Sequence, residues 1–280
     1  MKILVTGGSG SIGKAFVKKY KKTFDIVAPT HEQMDLTDAR SVAKVFQENK
    51  FDAVLHLACL PDRGANATLE ADNLIMFKNV QYMAIAYGVK KLITVGEGVE
   101  FDSSTPIVDF TEEMLGKHIP HDAYGLGRYL ITMLAGKDKI TTVLRLFTVY
   151  GADGGKGIID KIVQAGARGK KQIVIQRDRV VSTIAIDDAL RVFAEFLQKD
   201  LPRGDYNLVS NEKTSYLEIA KQVKRLVRKD DGDIEIVVKN DEPLAEYSGS
   251  NQKLLSVLPN LKLTPVQNGV KSLYFASRKW

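Results

Sequence analysis

Glycines at positions 7, 10 and 13 follow an apolar run, and that arrangement can hold a phosphate. The amino-terminal segment reads Met1-Lys2-Ile3-Leu4-Val5-Thr6-Gly7-Gly8-Ser9-Gly10-Ser11-Ile12-Gly13. The apolar run ends at Thr6 and an amphipathic stretch opens behind the glycines, which is the pattern of a strand, a tight turn and a helix start. Free backbone N–H groups at the positive end of such a helix can take phosphate oxygens. A Cβ at these positions would block the turn, the close approach of a pyrophosphate, or the packing of helix on strand. Placed after the first strand and opening the first helix, the fingerprint points to a dinucleotide; the competing reading is a glycine-rich turn with no ligand.

The elements that must position this turn alternate along the chain. Strand-like runs at Ile3-Leu4-Val5, Asp25-Ile26-Val27-Ala28, Ala53-Val54-Leu55-His56-Leu57, Lys91-Leu92-Ile93-Thr94-Val95 and Thr141 to Leu146 are separated by helical patterns. Among these are helices from Asp38 to Asn49, from Asp72 to Tyr87 and from Asp122 to Ala135, the first with Thr37 or Asp38 as its cap. Repeated β–α alternation predicts an α/β fold, a doubly wound parallel sheet of Rossmann type with right-handed crossovers and its ligand at the carboxyl ends of the strands. Beyond Tyr150-Gly151 comes a glycine-rich stretch to Gly157, then shorter and more charged elements. A strand over Val180 to Ile186 and the helix after Asp187-Asp188 are expected to rejoin the first sheet. The predicted division is a dinucleotide-binding domain over 1–150, rejoined by about 180–205, and a smaller α/β substrate-binding lid over 151–179 and 206–280, with substrate in a cleft between them.

The chain has 280 residues, a net charge of +6 and one cysteine, Cys59. That length supports a sizeable core, and a lone cysteine rules out an internal disulfide or a cysteine-based zinc site. His118 and His121 flank Pro120 with no third histidine near them, so no metal site is expected. Lysine pairs such as Lys18-Lys19 and Lys170-Lys171 are scattered rather than gathered on one face, so neither nucleic acid nor a membrane surface is the expected partner. No apolar run reaches membrane-spanning length, and Met1 leads straight into the first strand, so a cytoplasmic protein without a signal peptide is expected.

Several segments together resemble the extended short-chain dehydrogenase/reductase family, the nucleotide-sugar epimerases, dehydratases and reductases. Thr6 to Gly13 is similar to its TGxxGxxG turn, His56-Leu57-Ala58-Cys59 to its HLAA segment, Tyr124-Gly125-Leu126-Gly127-Arg128 to its YGxSK helix, Leu144 to Gly151 to its LRxxNVYGP strand, and Ile184 to Asp188 to its VHVDD strand end. The resemblance implies an NAD(P)-dependent enzyme acting on a nucleotide-diphosphate sugar, with Tyr124 as proton carrier. In the family a lysine one helical turn after the tyrosine lowers the phenol's pKa and holds the nicotinamide ribose, and a serine or threonine at the end of the fourth strand holds the substrate oxygen.

The chain departs from that pattern at both supporting positions. The cation is Arg128, which keeps its charge but is longer and planar. Glu97 stands where the hydroxyl residue is expected, and a carboxylate donates no hydrogen bond unless protonated. An ion pair between Glu97 and Arg128 is one expectation. Two functions stay open: a re-tuned enzyme using Tyr124, Arg128 and Glu97, or a weakened dinucleotide-binding sensor or partner protein. The family's substrate-binding asparagine is replaced by Thr148, and of the nearby arginines Arg177 and Arg179 either can clasp a diphosphate.

The resemblance also implies the cofactor contacts: Gly7, Gly10, Ser11, Ile12 and Gly13 at the pyrophosphate, Thr30, His31, Asp35 and Leu36 at the adenosine, and Leu57, Ala58, Tyr124 and Arg128 towards the nicotinamide. Thr30 occupies the slot of the acid that binds ribose hydroxyls in NAD enzymes. It does not repel a 2′-phosphate, which favours NADP, while Glu32 can serve NAD. Broad apolar surfaces on the helices around Phe77 and Leu130 predict a homodimer, as is common in the family.

Overall fold

The computed structural model describes residues 1–60, 67–151, 155, 157–227 and 233–278. Most of the glycine-rich stretch between Gly151 and Gly157 lies outside the described residues. In chain order the first elements are β1 (Lys2–Thr6), α1 (Ser11–Tyr20), β2 (Asp25–Val27), α2 (Ala39–Glu48), β3 (Ala53–His56), α3 (Ala67–Ala86) and β4 (Lys91–Glu97). They are followed by β5 (Ile107–Phe110), α4 (Ala123–Ala135), β6 (Thr141–Leu146), β7 (Thr148–Tyr150) and α5 (Ile158–Ala167). Then come β8 (Gln172–Ala185), α6 (Ile186–Gln198), β9 (Gly204–Leu208), β10 (Lys213–Ser215) and α7 (Tyr216–Leu226). The last are β11 (Glu235–Gly249), α8 (Gln252–Val257) and α9 (Val266–Ser277).

The chain divides into two compact units. The first comprises residues 1–105, 112–145 and 190–207, and the second 106–111, 146–189 and 208–280. The first unit carries a parallel six-stranded sheet in the order β2-β1-β3-β4-β6-β9. The order reverses at β1, whose neighbours β2 and β3 both run parallel to it. Loops leaving the carboxyl ends of β1 and β3 therefore diverge and leave a crevice above the sheet. Strand β3 is buried along its whole length, as a central parallel strand must be. Its Val54 joins Leu4, Val42, Phe46, Phe77, Val80 and Leu92 in one core. Asp38 caps α2 by accepting from the Arg40 N–H, and Asp122 caps α4 by accepting from the Gly125 N–H.

The second unit is built on a sheet in the order β10-β8-β11-β5, with β7 also paired to β8. The strand expected over Val180 to Ile186 is the end of the longer β8, and it belongs to this sheet; the strand that enters the first sheet is β9. The reason is visible in the alternation of β8: Ile173 and Ile175 face inward while Val174 and Gln176 face out, and residues 180–181 pair on one side with β10 and on the other with β11. The short run β5 is paired with β11.

Candidate active site

The turn after β1 is shaped by contacts that exclude side chains. Thr6 and His56 are register partners at the ends of β1 and β3, so Gly7 faces the segment leaving β3. Gly7 has φ +69°, and a Cβ there would lie 2.6 Å from the Ala58 nitrogen. A Cβ on Gly13 would run into the Gly7 carbonyl oxygen, so α1 can approach β1 only with glycine at that position. The Gly10 N–H donates to the Gly7 carbonyl at 3.0 Å. Gly10 caps α1 without a side chain and the first turn contains no acidic residue, which leaves the positive end of the helix to a ligand. This cradle, which a Cβ would fill, fits a pyrophosphate.

Above it lies a cavity of about 280 Å³, lined among others by Gly7, Gly10, His31, Leu36, Leu57, Ala58 and Cys59. The fold thus brings together most of the residues expected at the coenzyme, with Ser11, Ile12 and Gly13 in the adjoining first turn of α1. Thr30 and Asp35 do not line the cavity. The Thr30 N–H donates to Gln33 Oε1, and the Asp35 carboxylate accepts from the Thr37 hydroxyl and N–H, which hold its carboxyl below the usual range. Beneath the cradle Thr6 Oγ1 lies 2.8 Å from His56 Nδ1 and accepts from the Ala58 N–H at 3.3 Å. Burial, and then the charge of Arg128, push the His56 pKa down to about 3, so its ring is neutral at ordinary pH.

At the carboxyl end of β4 the Tyr124 hydroxyl donates to Glu97 Oε1 at 2.5 Å. Arg128, almost wholly buried, places its Nε 3.8 Å from the same oxygen, so the expected ion pair is present. Arg128 Nη2 donates to the Val95 carbonyl at 2.6 Å and Nη1 to Cys59 Sγ at 3.3 Å, whereas the buried Nε makes no hydrogen bond among the described residues. Burial opposes the charge on Arg128, yet Glu97 and the neighbouring Cys59 and Tyr124 together hold it firmly protonated. The Tyr124 pKa is raised, not lowered as the sequence pattern implies. Burial is the largest cause and the Glu97 charge the next, and the opposing pull of Arg128 is outweighed. The phenol is therefore a proton donor at rest. The Cys59 thiol is also pushed up, by desolvation among its neighbours, against the lowering influence of Arg128.

Glu100 and Arg145 were not legible as parts of this site, although two signals point to them. Glu97 and Glu100 have the spacing of a capping box, and each carboxylate accepts from the backbone N–H of the other across a short 3-10 turn, Gly98–Phe101. Arg145 is the one charged residue of a fully buried strand, which demands a buried partner. That partner is Glu100 Oε2, at 2.9 Å from Arg145 Nε.

The expected substrate residues lie in the second unit. Thr148 is on β7, hydrogen-bonded to the Tyr216 side chain. Arg177 and Arg179 are on β8. Arg177 is ion-paired with Glu242 at 3.0 Å, whereas the Arg179 guanidinium stacks 5.9 Å from the centre of the Tyr247 ring. Among the described residues no cluster of three or more histidine, cysteine or acidic side chains is arranged for a metal, and no helix is long and apolar enough to cross a membrane.

Comparison with known proteins agrees with this geometry. GDP-6-deoxy-D-talose 4-dehydrogenase of Aggregatibacter actinomycetemcomitans is 28% identical over 98% of this chain and 97% of its own length. GDP-L-fucose synthase of Dictyostelium discoideum is 24% identical over 96% of this chain and 92% of its own. Among solved structures, the GDP-mannoheptose C4 reductase of Campylobacter jejuni with NADP bound superposes with a TM-score of 0.83 at 22% identity, covering 100% of this chain and 98% of that one, and shares its fold. Residues 3–208 match the model of the NAD dependent epimerase/dehydratase family. The glycine cradle and the strand order that opens a crevice above it are in keeping with that match, and the chain belongs to the NAD dependent epimerase/dehydratase family.

Proposed function

We propose that this chain is an NAD(P)-dependent oxidoreductase or epimerase acting on a nucleotide-diphosphate sugar. The observation that carries the reading is the Tyr124 hydroxyl held on Glu97 at the carboxyl end of β4, in the same unit as the glycine cradle. NAD(P) bound in the cradle supplies the hydride donor or acceptor. Ser11, Ile12 and Gly13 hold its pyrophosphate through main-chain N–H groups at the start of α1, Gly7 and Gly10 leave room for its close approach, and His31 and Leu36 line the adenosine side with Thr30 and Asp35 nearby. Thr30, in place of an acid, favours NADP. Tyr124 carries the proton of the substrate oxygen through its Oη, and Glu97 is the base with which that proton exchanges. Arg128 keeps the pair charged. Thr148, Arg177 and Arg179 hold the sugar and diphosphate, with Arg179 the freer of the two arginines. The full-length relatives are named for GDP-linked sugars, which makes these the first substrates to test. The working protein is a cytoplasmic homodimer.

The test is calorimetry with both oxidised and both reduced coenzymes, followed by turnover of GDP-linked 4-keto and 4-hydroxy sugars by the wild type and by Tyr124→Phe. The expected result is coenzyme binding by both proteins and a loss of turnover in the variant on the order of 10²–10⁴-fold. Absence of binding by any coenzyme, or full activity of Tyr124→Phe, overturns the reading.

The rival reading is a weakened dinucleotide-binding sensor or partner protein. It is favoured by the internal commitments of Arg128 to Val95 and Cys59 and of Tyr124 to Glu97. Glu97→Ser combined with Arg128→Lys separates the two: a large gain in rate supports the sensor, and a loss supports a re-tuned enzyme.

A further inference from the structure

Glu97 does not stand alone at the end of β4. Its backbone N–H donates to Glu100 Oε1 at 2.7 Å, and its own carboxylate accepts in return from the Glu100 N–H. Glu100 is fully buried, and its second oxygen accepts from Thr132 Oγ1 at 2.8 Å and from Arg145 Nε at 2.9 Å. Arg145 is also fully buried; it donates to Asn207 Oδ1 and Asp205 Oδ2, each at 3.0 Å, and packs over the Phe101 ring. Taking a carboxylate and a guanidinium out of water carries a large desolvation cost that pairing and hydrogen bonding only offset, and an apolar pair of similar volume would fill the space without it.

The helix on the other side repeats the pattern. Tyr124, Arg128 and Thr132 are spaced four residues apart, so they stand on one face of α4. Tyr124 and Arg128 reach Glu97, and Thr132 reaches Glu100. A Cβ on Gly96 would lie 2.6 Å from Glu100 Oε1, so the strand carrying Glu97 also closes directly on this carboxylate.

We propose that Glu100, held by Arg145 and Thr132, is a positioning residue: it fixes the turn that aims the Glu97 carboxylate at the Tyr124 hydroxyl. Glu100 touches neither coenzyme nor substrate in this role. It acts through the Glu97 main chain, and the buried charges make the alignment stiff, because any rotation of Glu97 away from Tyr124 pulls on the hydrogen bonds that hold Glu100 to Thr132 and Arg145. The proposal rests on the reading of Glu97 and Tyr124 as a proton-exchanging pair, but its test does not depend on turnover.

The protein is labelled with tyrosine carrying ¹³C at Cζ, and the Tyr124 resonance is assigned by its disappearance in Tyr124→Phe. Glu97→Gln reports the signal of a phenol that has lost its charged acceptor. Two variants then perturb the support. Thr132→Val removes one hydrogen bond and leaves no charge unpaired. Glu100→Gln with Arg145→Met removes both buried charges together, so that neither is stranded. If Glu100 aims Glu97, the Tyr124 signal in both variants moves from the wild-type position towards that of Glu97→Gln. Where turnover is measurable, kcat falls on the order of tenfold with KM for the coenzyme unchanged. A Tyr124 resonance that stays at the wild-type position in both folded variants, whatever their melting temperatures, overturns the proposal and reduces Glu100 to a structural role. Failure of the underlying reading looks different: turnover is then absent, or insensitive to Glu97→Gln, while the resonances still report the alignment.

Discussion

The hydroxyl of Tyr124 and the carboxylate of Glu97 meet at 2.5 Å, with the charged Arg128 below them. Burial first, and then the charge of this carboxylate, hold the proton on the phenol instead of drawing it off. Glu97→Gln keeps the shape and removes the charge. Its Tyr124 is expected to ionise at lower pH than in the wild type, seen as tyrosinate absorbance in an alkaline titration corrected with Tyr124→Phe. Turnover is expected to drop by about 10²-fold or more, with coenzyme affinity retained. An unchanged titration would show that burial alone holds the phenol.

Acid stability should report His56. Its pKa is about 3 in the folded chain and near 6.5 when unfolded, so the unfolded state binds more protons between those values. The stability supplied by a neutral His56 is complete above pH 6.5 and is lost progressively as pH falls towards 3. Between pH 7 and pH 4 this one group accounts for roughly 3 kcal/mol. Urea unfolding at the two pH values checks this, and His56→Gln should flatten the difference. An equally steep pH dependence in the variant would remove His56 as its source.

The left-handed Gly7 is the most restrictive position in the cradle. Gly7→Ala places a methyl group against the backbone of Ala58 and holds alanine at a positive φ, which costs roughly 1–3 kcal/mol. Coenzyme affinity should fall by more than stability alone explains, because the methyl group also narrows the space above the turn. Calorimetry at a temperature where the variant is folded measures this, and undiminished affinity would argue against a ligand at the turn.

Helix α3 carries apolar residues beyond the face it turns to the core. Met76, Phe77, Val80 and Ala84 are buried in the core, while Tyr82 and Ile85 remain 69% and 50% exposed, and the packed neighbour α4 exposes Leu130 and Met133. This is the surface on which the proposed homodimer depends. Sedimentation at micromolar concentration should show a dimer for the wild type and a monomer for Tyr82→Lys with Ile85→Glu. A monomeric wild type would refute it.

The first sheet was legible because its signals are local. The glycine turn, the cap at Thr37 or Asp38 and the apolar runs of β1, β3, β4 and β6 are each written within a dozen residues, and periodicity is enough to read them. The second sheet was less so. β5 and β11 are distant in sequence, and what makes residues 107–110 a strand is the edge that β11 offers, not their own pattern. In the site, the type and spacing of Glu97, Tyr124 and Arg128 announced an altered pair. The sign of the tyrosine's shift was not available, because it depends on burial and on which group takes the phenol's hydrogen bond. The Asp35 carboxylate, turned to Thr37, is a case where a residue keeps its expected place in the sequence while its side chain serves the local turn.

Strand β9, which flanks β6 in the first sheet, lies beyond β7 and β8, and β5 has to wait for β11. A nascent chain emerging from a ribosome therefore holds β6 with a bare edge, and Arg145 without Asp205 and Asn207, until much of the other sheet has been made. Neither half can be completed by a simple truncation, and the open edge is the point at which a chaperone is most needed during synthesis.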